Sequence, residues 1–109
     1  KKQPLIFKPW RPGKKMVIGH YGISVPDNDQ TLIPDLIICP LLAYDSKGMR
    51  LGYGGGFYDR TIKYLRRNKQ VKYIGLAFSG QKSYYDLPSE VHDVPLDAVL
   101  TETGMDYFQ

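Results

Sequence analysis

The run from Arg50 to Arg60, RLGYGGGFYDR, sets four glycines within five residues between an apolar stretch and an amphipathic one. Punctuation of that kind reads as a strand, a bare loop and a helix start. Glycine has no side chain to block close approach and tolerates positive φ. Gly52, Gly54, Gly55 and Gly56 can therefore turn their amide N–H groups towards one bound anion. A phosphate suits such a seat, because the helix that starts near Phe57 to Asp59 adds unpaired N–H groups and the positive end of its dipole. Arg50 and Arg60 put cations on either side. The competing reading is a flexible turn that binds nothing. Against it stand Tyr53, Phe57 and Tyr58 interleaved with the glycines, and Asp59, whose carboxylate would repel a phosphate unless a metal lay between. Neither familiar fingerprint fits: the Gly-Lys-Ser/Thr ending of a Walker loop is missing, and Phe57 occupies the last glycine position of the dinucleotide pattern.

The flanking segments predict an α/β chain, one domain over residues 1–109 with a single modest core. Leu32 to Ala43 is apolar on both faces and reads as a central strand covered on each side, trimmed by Pro34 and Pro40 to Asp35 to Cys39. Tyr44 to Gly48 has the composition of a tight turn, with Asp45 suited to bond its own backbone and Gly48 to take a positive φ. A helix is predicted from Phe57 to Arg67, with Tyr58, Ile62 and Leu65 as its buried stripe and Arg60, Lys63, Arg66 and Arg67 outward. Val71 to Phe78 and Asp97 to Thr101 read as further strands, Pro4 to Phe7 as an edge strand and Met16 to Ile18 as strand-like. Gln81 to Glu90 is expected to be a loop or single helical turn reaching over the site. Glu102 to Gln109 has no predicted element. Trp10 reads as a surface-sealing aromatic and His20 as structural.

The formal charge of +4 comes from two scattered clusters, 8–15 and 63–72. No nucleic-acid motif accompanies them, and an acidic small substrate accounts for the excess equally well. The lone Cys39 cannot form an internal disulfide and reads as a buried packing residue in a reducing compartment. No apolar stretch approaches the roughly twenty residues of a membrane helix, and the first residues lack the core of a secretion signal, so a cytoplasmic protein is expected. His92 and Asp93 are adjacent, and on an extended backbone they face opposite sides, so only one can serve a given centre. A carboxylate beside phosphates matches Mg²⁺, which takes one or two protein carboxylates and keeps several waters. His92 reads as part of a polar turn.

The sequence from Asp45 to Arg60 resembles the 5-formyltetrahydrofolate cyclo-ligase family. Ile74 to Phe78, Gln81, Leu87, Pro88, Glu90, His92, Asp93, Pro95, Asp97, Thr101 and Glu102 extend the likeness. The resemblance implies a three-layer open α/β sheet with a strand, glycine-rich loop and helix forming a phosphate site. It implies ATP and Mg²⁺ as cofactors and cyclisation of 5-formyltetrahydrofolate to 5,10-methenyltetrahydrofolate, with release of ADP and phosphate. By the same likeness Arg50 and Tyr53 are the catalytic side chains. Arg50, Leu51, Gly52, Tyr53, Gly54, Gly55, Gly56, Phe57 and Tyr58 line the ATP-phosphate and folate pocket, and Asp59 and Asp93 seat the metal. Val25 stands where the family usually carries an acidic residue. Family members extend further at the amino end, which implies an exposed sheet edge here unless the chain is a piece of a longer protein or the edge is covered by self-association or a partner chain. The alternative to an active ligase is a non-catalytic nucleotide- or folate-binding remnant or an interaction module.

Overall fold

The computed structural model describes residues 3–19, 22–27, 30–54 and 56–108. His20 and Gly55 lie outside them. In chain order the strands are β1 (Met16–Ile18), β2 (Ser24–Pro26), β3 (Leu36–Pro40), β4 (Ala43–Tyr44) and β5 (Arg50–Leu51), followed by helix α1 (Phe57–Leu65). Then come β6 (Lys72–Leu76), a 3-10 turn at Ser79–Gln81, β7 (Ala98–Thr101) and β8 (Gly104–Tyr107). The main sheet has the order β3-β6-β7-β8, with β3, β6 and β7 parallel and β8 antiparallel to β7. β1 pairs with β2 and β4 with β5, each antiparallel.

Register decides which side chains face the helix. Ile37 pairs with Tyr73, and Cys39 with Gly75, which in turn pairs with Val99. Ile37, Cys39, Tyr73 and Val99 are buried, together with Ile62 and Leu65 of α1, in one core cluster. Burial of each large apolar side chain contributes about 1.5–3 kcal/mol. Gly75 leaves the hollow into which Leu41 and Leu96 pack: a Cβ there would lie 2.8 Å from Leu41 Cδ2 and 2.9 Å from Leu96 Cδ1. Thr61 is also buried, donating to the Phe57 carbonyl at 2.6 Å and accepting from Leu5 N–H at 2.7 Å. That bond holds the Pro4 to Phe7 segment, which forms only an isolated bridge from Phe7 to Leu32 rather than an edge strand.

A further expectation is corrected. β3 is an edge strand of the main sheet, not a central one. Its alternate residues explain the misreading: Leu36 and Ile38, with Leu76 of β6, make a second apolar face, but they are 45%, 51% and 53% exposed. An apolar stripe reports that a face can be buried, not that it is. The terminal segment, for which no element is predicted, forms β8, since Gly104 (φ 127°) turns the chain back on β7. The predicted turn is present: Asp45 Oδ1 accepts from Lys47 N–H at 2.9 Å and Met49 N–H at 3.0 Å, with Gly48 at φ 83°. Around it β4 and β5 form a two-residue hairpin too short to show a period in sequence. Among the described residues no helix is long and apolar enough to cross a membrane.

Candidate phosphate-binding site

β5 delivers Arg50 at the carboxyl end of β3, and its side chain turns inward. That side chain is only 8% exposed. Nε donates to the Tyr73 hydroxyl at 2.7 Å, and Cζ stands 5.5 Å from the Tyr58 ring centroid and 5.9 Å from that of Tyr73. Nη2 lies 3.9 Å from Asp59 Oδ2. Burial works against the cation, but the Tyr73 hydroxyl, Cys39 and Asp59 outweigh it, so Arg50 is held charged. The same burial pushes the Tyr73 hydroxyl and the Cys39 thiol upward, with Arg50 pulling both back.

The glycines have separate reasons to be glycine. A Cβ on Gly52 would overlap Arg50 Nη1, so a side chain there would evict the guanidinium. Gly56 is the N-cap of α1 in the left-handed region, at φ 64° and ψ 26°, where a Cβ is strained. Its carbonyl accepts Arg60 N–H at 3.0 Å. The amides of the first helical turn have no partner within the helix and carry its positive end. Arg60 stacks over Phe57, 5.2 Å from the ring centroid.

A cleft of about 470 Å³ opens over this loop. Arg50, Leu51, Gly52, Tyr53, Gly54, Gly56, Phe57, Tyr58, Asp59 and Asp93 all line it, so the structure brings together the described residues assigned to the pocket and the metal, whereas Arg60, expected as a flanking cation, is not part of the lining. Pro40, Pro88 and Glu90 complete the wall, the last two from the loop expected to reach over the site. Tyr53 is 70% exposed at the mouth. His92 is exposed and outside the lining. The two aspartates approach from different elements: Asp59 Oδ1 accepts Val94 N–H at 3.1 Å, and Asp93 Oδ2 accepts Glu90 N–H at 2.8 Å. Among the described residues no group of three or more His, Cys, Asp or Glu could hold a metal. Two carboxylates on one cleft are the donor chemistry of an ion that fills its shell with water and phosphate oxygens, not of a closed zinc-type cage.

Sequence reasoning missed Tyr73, which holds Arg50. Its one signal is a tyrosine on the buried face of a strand, whose hydroxyl needs a partner. It also missed Gln81 as a tie: Gln81 Nε2 donates to the carbonyls of Leu41 at 3.0 Å and Leu42 at 3.2 Å. A larger cleft of about 750 Å³ lies at the opposite end of the sheet, lined by Asp35, Arg66, Lys69, Lys72 and Asp97 among others. Two of its cations are engaged internally: Lys69 pairs with Asp35 at 2.6 Å, and Arg66 with Asp97 at 2.9 Å and with the Val71 carbonyl. Open α/β sheets bind ligands at the carboxyl ends of their strands, which favours the glycine cleft.

The profile of the 5-formyltetrahydrofolate cyclo-ligase family matches residues 3–102, and the chain belongs to that family. It is 41% identical over 104 residues to the 5-formyltetrahydrofolate cyclo-ligase of Haemophilus influenzae, covering 91% of this chain and 54% of that protein. The Escherichia coli K12 cyclo-ligase is 38% identical over 102 residues, covering 89% of this chain and 55% of its own length. The NMR structure of Aquifex aeolicus 5,10-methenyltetrahydrofolate synthetase superposes with a TM-score of 0.68 at 31% identity, over 91% of this chain and 50% of the other. These neighbours share the cyclo-ligase α/β fold. The chain spans about half the length of the relatives it matches.

Proposed function

We propose that this member of the cyclo-ligase family supplies the phosphate-binding part of a site that closes 5-formyltetrahydrofolate to 5,10-methenyltetrahydrofolate at the cost of one ATP. The observation that carries the reading is the convergence of Arg50, the glycine loop, the start of α1, Asp59 and Asp93 on one cleft. The substrate class is that of the relatives, a 5-formyltetrahydrofolate cyclo-ligase and a 5,10-methenyltetrahydrofolate synthetase.

A formamide oxygen is a poor leaving group. In the proposed reaction it takes the γ-phosphoryl group of ATP, releasing ADP; the neighbouring folate nitrogen attacks the activated carbon and loses its proton. The C–O bond then breaks and phosphate departs with the former formyl oxygen. The loop amides and the α1 N-terminus hold the transferring phosphoryl group, and Arg50 offsets the charge that builds on it. Tyr53 and Phe57 offer aromatic faces to the folate ring. Asp59 and Asp93 would hold Mg²⁺, which when bound neutralises phosphate charge. A cytosolic setting keeps Cys39 reduced.

Incubation with ATP, Mg²⁺ and 5-formyltetrahydrofolate is expected to yield the methenyl product, followed by its near-ultraviolet absorbance, and Asp59→Ala is expected to abolish it. The alternative is a nucleotide- or folate-binding module without turnover. ATP or folate binding with no product would select that reading, and binding of neither would remove both.

A further inference from the structure

We propose that Tyr73 is a positioning residue for phosphate transfer, its hydroxyl fixing the Arg50 guanidinium so that the Nη edge serves the glycine loop. The inference rests on the function proposed above. Tyr73 belongs to β6 and is fully buried, and it is absent from the cleft lining, so it acts only through Arg50. Three edges of the guanidinium are accounted for. Nε is committed to the Tyr73 hydroxyl at 2.7 Å. Nη1 occupies the space that a side chain on Gly52 would fill. Nη2 faces Asp59 at 3.9 Å, beyond a good hydrogen bond. The short bond therefore sits on the edge away from the loop, and the looser contact on the edge towards the cleft. An arginine anchored through Nε keeps its paired Nη donors for a planar anion, the fork geometry that lysine lacks. Without the anchor, the guanidinium has the two tyrosine faces, at 5.5 and 5.9 Å, to hold its height but nothing to hold its rotation.

The test uses Tyr73→Phe, Arg50→Lys and the double variant. By NMR, the Arg50 Nε–H of the unaltered chain is expected to exchange slowly with water, and at least tenfold faster in Tyr73→Phe. Turnover with ATP is expected to fall about tenfold or more in Tyr73→Phe, the scale of one hydrogen bond to a charged group. The KM for the folate should stay within twofold. Because lysine has no Nε–H, Tyr73→Phe should cost little further in the Arg50→Lys background. An additive cycle would reduce Tyr73 to a core residue and overturn the inference, as would Arg50 Nε–H exchange at the rate of a free arginine in the unaltered chain, a reading that stands even if Tyr73→Phe does not fold. An unaltered chain that neither binds ATP nor forms product sinks the proposed function, and this role with it. An active chain with an additive cycle sinks the role alone.

Discussion

Asp59 Oδ1 accepts the backbone N–H of Val94 at 3.1 Å, and that bond ties the first turn of α1 to the segment carrying Asp93. Two carboxylates distant in sequence thus share one cleft because one of them has a structural as well as a proposed chemical task. Asparagine keeps an acceptor for Val94 but no charge, whereas alanine keeps neither. Asp59→Asn is therefore expected to stay within about 1 kcal/mol of the parent stability, and Asp59→Ala to lose about 1 kcal/mol more, the net worth of a hydrogen bond. Both should lose the metal. Mn²⁺ added to the unaltered chain should broaden the amide signals of residues around Asp59 and Asp93, and in Asp59→Asn it should not. Equal broadening in both would remove Asp59 from the metal site.

Gly52→Ala tests the loop from the side of packing. The added methyl occupies the position of Arg50 Nη1, so the guanidinium must rotate or leave. Turnover is expected to drop by about one to two orders of magnitude, the effect of displacing one preorganised charge donor. Gly80→Ala is the control, because a Cβ there meets nothing within 4 Å. Comparable losses from the two substitutions would show that a methyl added away from the guanidinium is as harmful as one beside it, and would remove the specific link to Arg50.

Asp45 is nearly fully buried, and its carboxylate accepts three backbone N–H groups, those of Lys47 at 2.9 Å, Met49 at 3.0 Å and Leu87 at 2.9 Å. The first two shape the hairpin that delivers Arg50, and the third fastens the loop that carries Pro88 and Glu90. Asp45→Ala leaves those donors without their acceptor, at a cost of about 2–4 kcal/mol. A fall in Tm of roughly 10 °C or more is expected for a chain of this size. A fall below about 3 °C would mean that water replaces the carboxylate without penalty.

What could be read from sequence, and what could not, divides by range of contact. The glycine loop, the helix start and the Asp45 turn depend on neighbours within a few residues, and composition announces them. Helix α1 follows from the spacing of Ile62 and Leu65, though Arg66, expected outward, folds back to the Val71 carbonyl and Asp97. The position of β3 at the sheet edge depends on which strands pair with it, and its own apolar pattern is the same in either case. Tyr73 holding Arg50 is a contact across 23 positions between two side chains with no shared motif. Asp59 and Asp93 were paired by family likeness, and only the Val94 bond supplies a physical reason for their proximity.

Cys39 is fully buried against Tyr73, and burial, the largest influence on its thiol, raises its pKa from 9.0. The Tyr73 hydroxyl is likewise pushed up from 10.0, chiefly by burial. In the unfolded chain the thiol releases its proton near pH 9.0 while the folded chain retains it, so the unfolded state binds fewer protons and stability falls as pH rises. The stability is complete below pH 9.0 and declines above it, with Tyr73 adding to the decline above pH 10.0. The limiting slope is about 1.4 kcal/mol per pH unit for each group. Denaturant titrations at pH 7 to 10 are expected to show this loss, and Cys39→Ala should flatten it between pH 9 and 10 while lowering the whole curve through lost packing. A parallel curve for Cys39→Ala would show that another group controls the alkaline side. Thiol-alkylating reagents should react with Cys39 only at the rate of unfolding, since its sulfur has no exposed surface. Rapid labelling of the native chain at pH 8 would mean that the floor beneath Arg50 opens on its own, and Tyr73 could not then hold the guanidinium still.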